Sequence, residues 1–199
     1  EEQPVNLRIE RMIAQGTEVK YLSRADYRMR NHDSYKTELS EQYESKGGCF
    51  IIPEGAANDE GIAGCMEMAK LIPPETDWTA VACGTAGTVA GITKGLTENM
   101  KSIGITVARS GNEPETVMNT AGIPADSYRI IKGHEAGGYG RADVALSEFI
   151  PKFSEATGIP LEPVYTGKLL LALDSMARDG FFSRGDQLTA IHTGGLFGL

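Results

Sequence analysis

Cysteine is scarce in this 199-residue chain: Cys49, Cys65 and Cys83 stand 16 and 18 residues apart, an odd count with no CxxC pair. That spacing gives no basis for a disulfide framework or a zinc site, and it makes a reducing cytosol the expected setting. Long apolar runs are also missing; none approaches the roughly 18 residues that a membrane-spanning helix needs. Positive charge is in the minority, 19 Lys and Arg against 27 Asp and Glu. The resulting net charge of −8 disfavours a generic binder of nucleic-acid backbones. What is present is ordinary: 41% hydrophobic and 23% charged residues, with 24 Gly and 9 Pro. Those proportions exclude a disordered tail, a collagen-like repeat and a coiled coil. The length suits one sizeable domain, or one domain plus a fragment of another. A soluble globular protein is expected, without metal, membrane or nucleic-acid partner.

The chain opens on Glu1 and Glu2 with no Met, and Val5 to Gln15 already has the apolar spacing of a helix, carried by Leu7, Ile9, Met12 and Ile13. The expectation is a chain that starts inside a longer protein. Glu18 to Leu22 alternates like a strand, Arg24 to His32 is polar and irregular, and Asp33 can cap a helix through Ser45. Lys46-Gly47-Gly48 ends that helix. The apolar run Cys49 to Ile52, between Gly and Pro, predicts a buried parallel strand. Helix follows over 61–72. Strands are expected over 78–83, 103–108, 128–132 and 187–192, with a short extended piece over 162–165. Helices are expected over 88–100, 113–120, 142–157 (kinked or split at Pro151) and 167–178. This alternation predicts an α/β fold, an open, mostly parallel sheet with helices on both faces. Composition changes near residues 46–48, from a charged, Tyr-rich beginning to an apolar, Gly-rich body.

Chemistry concentrates where strands end. Cys83-Gly84-Thr85-Ala86-Gly87-Thr88 joins a buried strand to a helix. Its glycines let backbone N–H groups approach an anion, its threonines add hydroxyls, and the helix adds its positive dipole end. A phosphate fits, although a tight turn with a Thr cap explains the same residues equally well. Neither the P-loop ending GKS/T nor the dinucleotide pattern GxGxxG is present. Pro163-Val164-Tyr165-Thr166-Gly167-Lys168 places Tyr165 and Thr166 at a helix start; a buried Tyr with a Thr cap is the plainer alternative. Ile191-His192-Thr193-Gly194-Gly195 and Pro53-Glu54-Gly55-Ala56-Ala57-Asn58 are two further Gly-bearing strand ends. His192 reads as structural, since no Ser or Asp pattern completes a triad.

Taken in order, CGTAGTVAG, PVYTGK and IHTGG resemble the pyridoxal-phosphate enzymes of the tryptophan-synthase-β fold type. The branch is that of 1-aminocyclopropane-1-carboxylate deaminase and D-cysteine desulfhydrase. PEGAAN resembles the family's PxGGxN segment, departing from it in its alanines, 56 and 57. Gly138-Tyr139-Gly140 resembles the GYG segment that carries a second active-site tyrosine. The resemblance covers essentially the whole chain. It implies pyridoxal 5'-phosphate as cofactor, with Gly84, Thr85, Ala86, Gly87 and Thr88 at its phosphate and Thr193 and Thr166 near its ring nitrogen. Tyr165 and Tyr139 would approach a small amino-acid substrate. Residues 1–46 would be a remnant of the smaller cofactor-capping domain and 47–199 most of the larger one, within a full-length homodimer.

The same resemblance marks an absence. The family's Schiff-base lysine lies in a GGNK-like segment followed by Ser-Asn, and neither is found here; Lys168 reads as a first-turn helix residue. The chain alone is therefore expected to be inactive. The family's deaminases carry YEG where this chain has Tyr165-Thr166-Gly167. A neutral hydroxyl near the ring suits elimination of a good leaving group, so the expected reaction is release of pyruvate, ammonia and sulfide from D-cysteine. The alternatives are a true cyclopropane-carboxylate deaminase and a non-catalytic module for phosphate ligands.

Overall fold

The computed structural model describes residues 7–45 and 47–196. The chain divides into two compact units, 1–51 and 52–199.

The first unit contains α1 (Leu7–Ala14), α2 (Arg24–Arg28) and α3 (Asp33–Glu44). The Ser23 hydroxyl caps α2 by accepting from the Asp26 amide, a local signal within a stretch expected to be irregular. Val5 and Lys46, at the edges of two expected helices, lie outside the described residues. The strand expected over 18–22 does not form. Nor does the one over 49–52: Phe50 is 66% and Ile52 70% exposed. Alternation or apolarity marks a segment that a sheet could use, but a ladder needs a neighbouring edge, and neither segment has one among the described residues.

The second unit is built on β1 (Trp78–Cys83), β2 (Lys101–Thr106), β3 (Tyr128–Ile131) and β4 (Leu188–Ala190). All pairings are parallel, in the order β3-β2-β1-β4. Its helices are α4 (Asp59–Met66), α5 (Gly87–Gly95), α6 (Glu113–Thr120), α7 (Val144–Thr157) and α8 (Thr166–Arg178). Period-2 alternation along β1 sorts the core into two layers. Val81 and Cys83 pack with Val89 and Ile92 of α5, Ile62 of α4 and Met118 of α6. Ala80 turns the other way, with Ile103 and Ile105 of β2, onto Leu169, Ala172, Leu173 and Met176 of α8. The expected α/β architecture, with helices on both faces, is what the chain forms.

Several elements depart from expectation: the helix expected over 61–72 ends as α-helix at Met66 and continues as a 3-10 helix over Glu67–Leu71, and the strand expected over 187–192 is Leu188–Ala190. The helix after β1 stops at Gly95, where Leu96 turns extended, although Leu96 and Met100 still pack on the same layer. Pro151 sits inside one continuous α7. Pro151 and Ser147 are both exposed, so water can take the carbonyl that the proline leaves without a donor. The segment 162–165 is a turn rather than a strand, for a reason that belongs to the site. Among the described residues no helix is long and apolar enough to cross a membrane.

Strand order places the site. From β1 the chain steps to β2 and β3 on one side, and later returns to add β4 on the other. The carboxyl end of β1 is therefore a topological switch point, where open parallel sheets leave a crevice for ligands. The loops after β1 and β4 both open there.

Candidate functional site

The loop leaving β1 gives α5 an unusual start. Ala86, its N-cap, adopts the left-handed conformation at φ 68° and supplies no capping side chain. Ala86 and Gly87 are buried. The first turn of a helix leaves its N–H groups without intrahelical partners. Here they sit in a largely enclosed junction, beside the hydroxyl-bearing Thr85 and Thr88, at the positive end of the helix. The 53–58 segment packs directly on this junction. A Cβ on Gly55 would overlap the Thr85 hydroxyl, and one on Gly87 would lie 3.1 Å from Ala57 Cα. Ala56, standing where the related motif has glycine, is itself held at φ 48°. Such a cradle suits a phosphate-sized anion. Cys83 beneath it is no nucleophile: burial pushes its thiol up to about 12, opposed by the Ala86 N–H that it accepts.

Tyr165 borders the cradle; a Cβ on Gly84 would stand 3.8 Å from its ring. The Tyr139 and Tyr165 hydroxyls are 3.0 Å apart, with the rings edge to face at 6.0 Å. Two residues 26 apart in sequence thus share one hydrogen bond. Burial, the Tyr139 hydroxyl and the nearby Glu162 and Glu54 carboxylates all push the Tyr165 phenol above its ordinary range. At neutral pH it is a proton donor, not a phenolate.

Glu162 explains the turn before α8. It is 4% exposed, and its Oε1 accepts from the Tyr165 amide at 2.8 Å and the Thr166 amide at 2.6 Å. Its Oε2 accepts from the Val164 amide at 2.6 Å. The carboxylate consumes the N–H groups that a strand would give to a neighbour, so the chain coils around it. Thr166 is wholly buried: its hydroxyl donates to Glu162 Oε1 at 3.2 Å and accepts from the Glu162 amide at 3.2 Å. Thr166, expected near a cofactor ring, has its hydroxyl engaged inside the turn in this structure. Thr193 is exposed on the loop after β4. That loop rests on the same carboxylate, since a Cβ on Gly195 would come within 3.0 Å of Glu162 Cγ. His192 steadies the loop: the Gly194 amide donates to its Nδ1 at 3.1 Å, which leaves Nε2–H to donate to the Pro160 carbonyl at 3.0 Å. The structural reading of His192 agrees with that geometry.

Sequence reasoning passed over two groups here, Glu162 altogether and Lys168 as a plain helix residue. Lys168 is fully buried, and its Nζ donates to the carbonyls of Val107 at 2.9 Å and Gly138 at 2.7 Å. The available signals were a Glu two to four residues ahead of Val164, Tyr165 and Thr166, and a lone Lys leading the apolar run Leu169 to Leu173.

Against known proteins, a family model described as pyridoxal-phosphate dependent enzyme matches residues 2–194. A putative 1-aminocyclopropane-1-carboxylate deaminase of Pyrococcus horikoshii is 31% identical over 180 residues, covering 82% of this chain and 55% of its own length. A bifunctional D-cysteine desulfhydrase/1-aminocyclopropane-1-carboxylate deaminase, mitochondrial, of Arabidopsis thaliana is 29% identical over 214 residues, 98% of this chain and 53% of that one. The crystal structure of an ACC deaminase homologue superposes with a TM-score of 0.75 at 26% identity, covering 94% of this chain and 61% of that one. The chain spans about half the length of the curated relatives it matches.

Proposed function

The chain belongs to the family of pyridoxal-phosphate dependent enzymes, and from that premise we propose that it is the phosphate-holding share of a deaminating lyase acting on a small amino acid. Bound in such a site, pyridoxal phosphate supplies the electron sink for chemistry at the substrate's α-carbon. The residues present fit its phosphate end. The side-chain-uncapped start of α5 and the loop before it offer the N–H groups of Gly84, Thr85, Gly87 and Thr88, the Thr85 and Thr88 hydroxyls add to them, and Ala86 lines the cradle in its left-handed conformation. Thr193 is the hydroxyl we assign to the ring nitrogen. We take residues 1–46 as the remnant of a smaller capping domain and 47–199 as most of the larger one.

The observation that carries the reading is the Tyr139–Tyr165 hydroxyl pair beside this cradle. Tyr165 keeps its proton and, through Tyr139, shares a hydrogen-bonded path for it. The pair can orient a substrate carboxylate and deliver a proton from a phenolic oxygen without a neighbouring histidine.

Opening of 1-aminocyclopropane-1-carboxylate to 2-oxobutanoate and ammonia stands first. The names of the archaeal relatives and of the solved homologue support it, and the plant relative is named for both activities. Elimination from D-cysteine calls for neutral hydroxyls near the ring, those of Thr166 and Thr193. With Thr166 committed to Glu162 only Thr193 supports it, so elimination from D-cysteine stands second. Purified full-length enzyme, assayed with both substrates, should show the higher kcat/KM for the cyclopropane. Higher kcat/KM for D-cysteine, with pyruvate and sulfide as products, would reverse the order. Absence of both products would leave the non-catalytic phosphate-binding module.

A further inference from the structure

Lys168 heads the fully buried side chains of this protein by volume, and nothing about packing calls for a charge there. A leucine would fill similar space without the cost of taking an ammonium out of water. The donors of Lys168 go instead to two main-chain carbonyls on segments remote in sequence, Val107 just past β2 and Gly138 in the loop between β3 and α7. Burial lowers its proton affinity, while Glu162 before α8, Glu135 in the β3–α7 loop and Asp143 at the start of α7 all favour the charged form.

The loop that Lys168 grips is anchored at its root by Glu135, which accepts from the Thr106 hydroxyl and the Gly133 amide, and is glycine-rich beyond that point. Gly137, Gly138 and Gly140 adopt φ values of 92°, 110° and 66°, conformations that leave the backbone permissive. Its local bonds run from the Gly138 amide to the Glu135 carbonyl and from the Arg141 amide to the Gly138 carbonyl. Between them Tyr139 is 63% exposed, and its hydroxyl meets Tyr165. The Gly138 carbonyl and the Tyr139 amide belong to one rigid peptide plane, so fixing the first fixes the second. Lys168 lies three residues after Tyr165 at the start of α8. One element therefore presents Tyr165 to the Tyr139 hydroxyl and an ammonium to the Tyr139 peptide.

We propose that Lys168 is a positioning residue: by holding the Gly138 carbonyl it registers the Tyr139 hydroxyl against that of Tyr165. The proposal rests on the reading of that pair as substrate-facing, and it adds how the pair is aligned.

The test is a double-mutant cycle in the full-length enzyme with Lys168→Met and Tyr139→Phe, read as kcat and KM. Amide exchange of the cofactor-free protein accompanies it. Lys168→Met should lower kcat at least about tenfold, the scale of a misplaced reacting group, with KM little changed. Added to Tyr139→Phe it should cost almost nothing more, because both changes remove one interaction. Exchange over 138–141 should quicken by about tenfold or more while α8 and β1 keep their protection. Additive losses, or unchanged loop exchange with a uniform fall in protection, would overturn the proposal. Lys168→Arg keeps the charge, but its planar head cannot reach both carbonyls from one place. It is expected to lose part of the same protection, and it decides the matter if the Met variant does not fold. If wild-type enzyme forms neither product, the functional reading fails, and loop exchange alone still decides the tether.

Discussion

Glu135 accepts from the Thr106 hydroxyl at 2.6 Å and from the Gly133 amide at 3.0 Å, at the root of the loop that carries Tyr139. Burial by itself would raise its carboxyl; the hydrogen bonds from Thr106, Gly133 and its own amide, with His134 nearby, outweigh that and hold it below the ordinary range. A depressed folded-state pKa adds stability that is present above the unfolded value, about 4.3, and is lost as pH falls through the folded one. Thr106→Val should therefore flatten the acid limb of the stability curve and cost on the order of 1–2 kcal/mol at neutral pH. Denaturant melts between pH 7 and 3 read both effects; equal slopes for the two proteins would refute the role of Thr106. Residues differed in how visible they were beforehand. Tyr165 and Tyr139 stood out because their motifs resemble a family's. Glu162 and Lys168 did not: Glu162 acts on amides two to four residues ahead without belonging to a motif, and Lys168 acts on carbonyls that the fold brings to it from 61 and 30 residues away.

Helix α5 has two demands on it, the phosphate we propose at its start and α4 along its side. Gly91 makes the second possible: a Cβ there would overlap the Ile62 carbonyl oxygen and Cys65 Cβ. Because the obstacle includes backbone, Gly91→Ala should force the helices apart and cost about 1–3 kcal/mol, despite alanine's better helix propensity. Chemical denaturation of the purified protein measures it, and a stabilised variant would contradict the close approach. At the helix start the signs separate. Thr88→Asp sets a carboxylate near the positive end of α5, which should leave the cofactor-free protein as stable or up to about 1 kcal/mol more so. The same charge opposes a phosphate, so cofactor affinity of the full-length enzyme should fall at least about tenfold. A turn that merely ends a strand predicts no change in cofactor binding. The strand–loop–helix succession was readable in Trp78 to Gly95 because apolar run, glycines and periodicity all agree there. Where they carried one signal only, as at Glu18 to Leu22 and Cys49 to Ile52, the expected strands failed.

At the scale of the molecule, the chain spans about half the length of its curated relatives. Lys168, three residues after Tyr165, is buried with its Nζ donating to two carbonyls. An amine engaged in that way presents no lone pair to an aldehyde. The 199-residue chain made alone, mixed with pyridoxal phosphate and reduced with borohydride, should thus carry no stoichiometric pyridoxyl group on Lys168. Peptide mass spectrometry checks this, and an adduct on Lys168 would require the α8 start to open.

Local and near-local patterns were enough for the α/β alternation, the strand–loop–helix junction at Gly84 to Thr88 and the membership in a cofactor family. These depend on neighbours along the chain: dipole, φ preference, hydrophobic period and an ordered set of motifs. The length of the sheet and the tether from Lys168 were settled by folding. Each is a contest for hydrogen-bond partners, and which donor meets which acceptor is decided when remote segments pack, since a buried polar group must take the partner that the fold delivers.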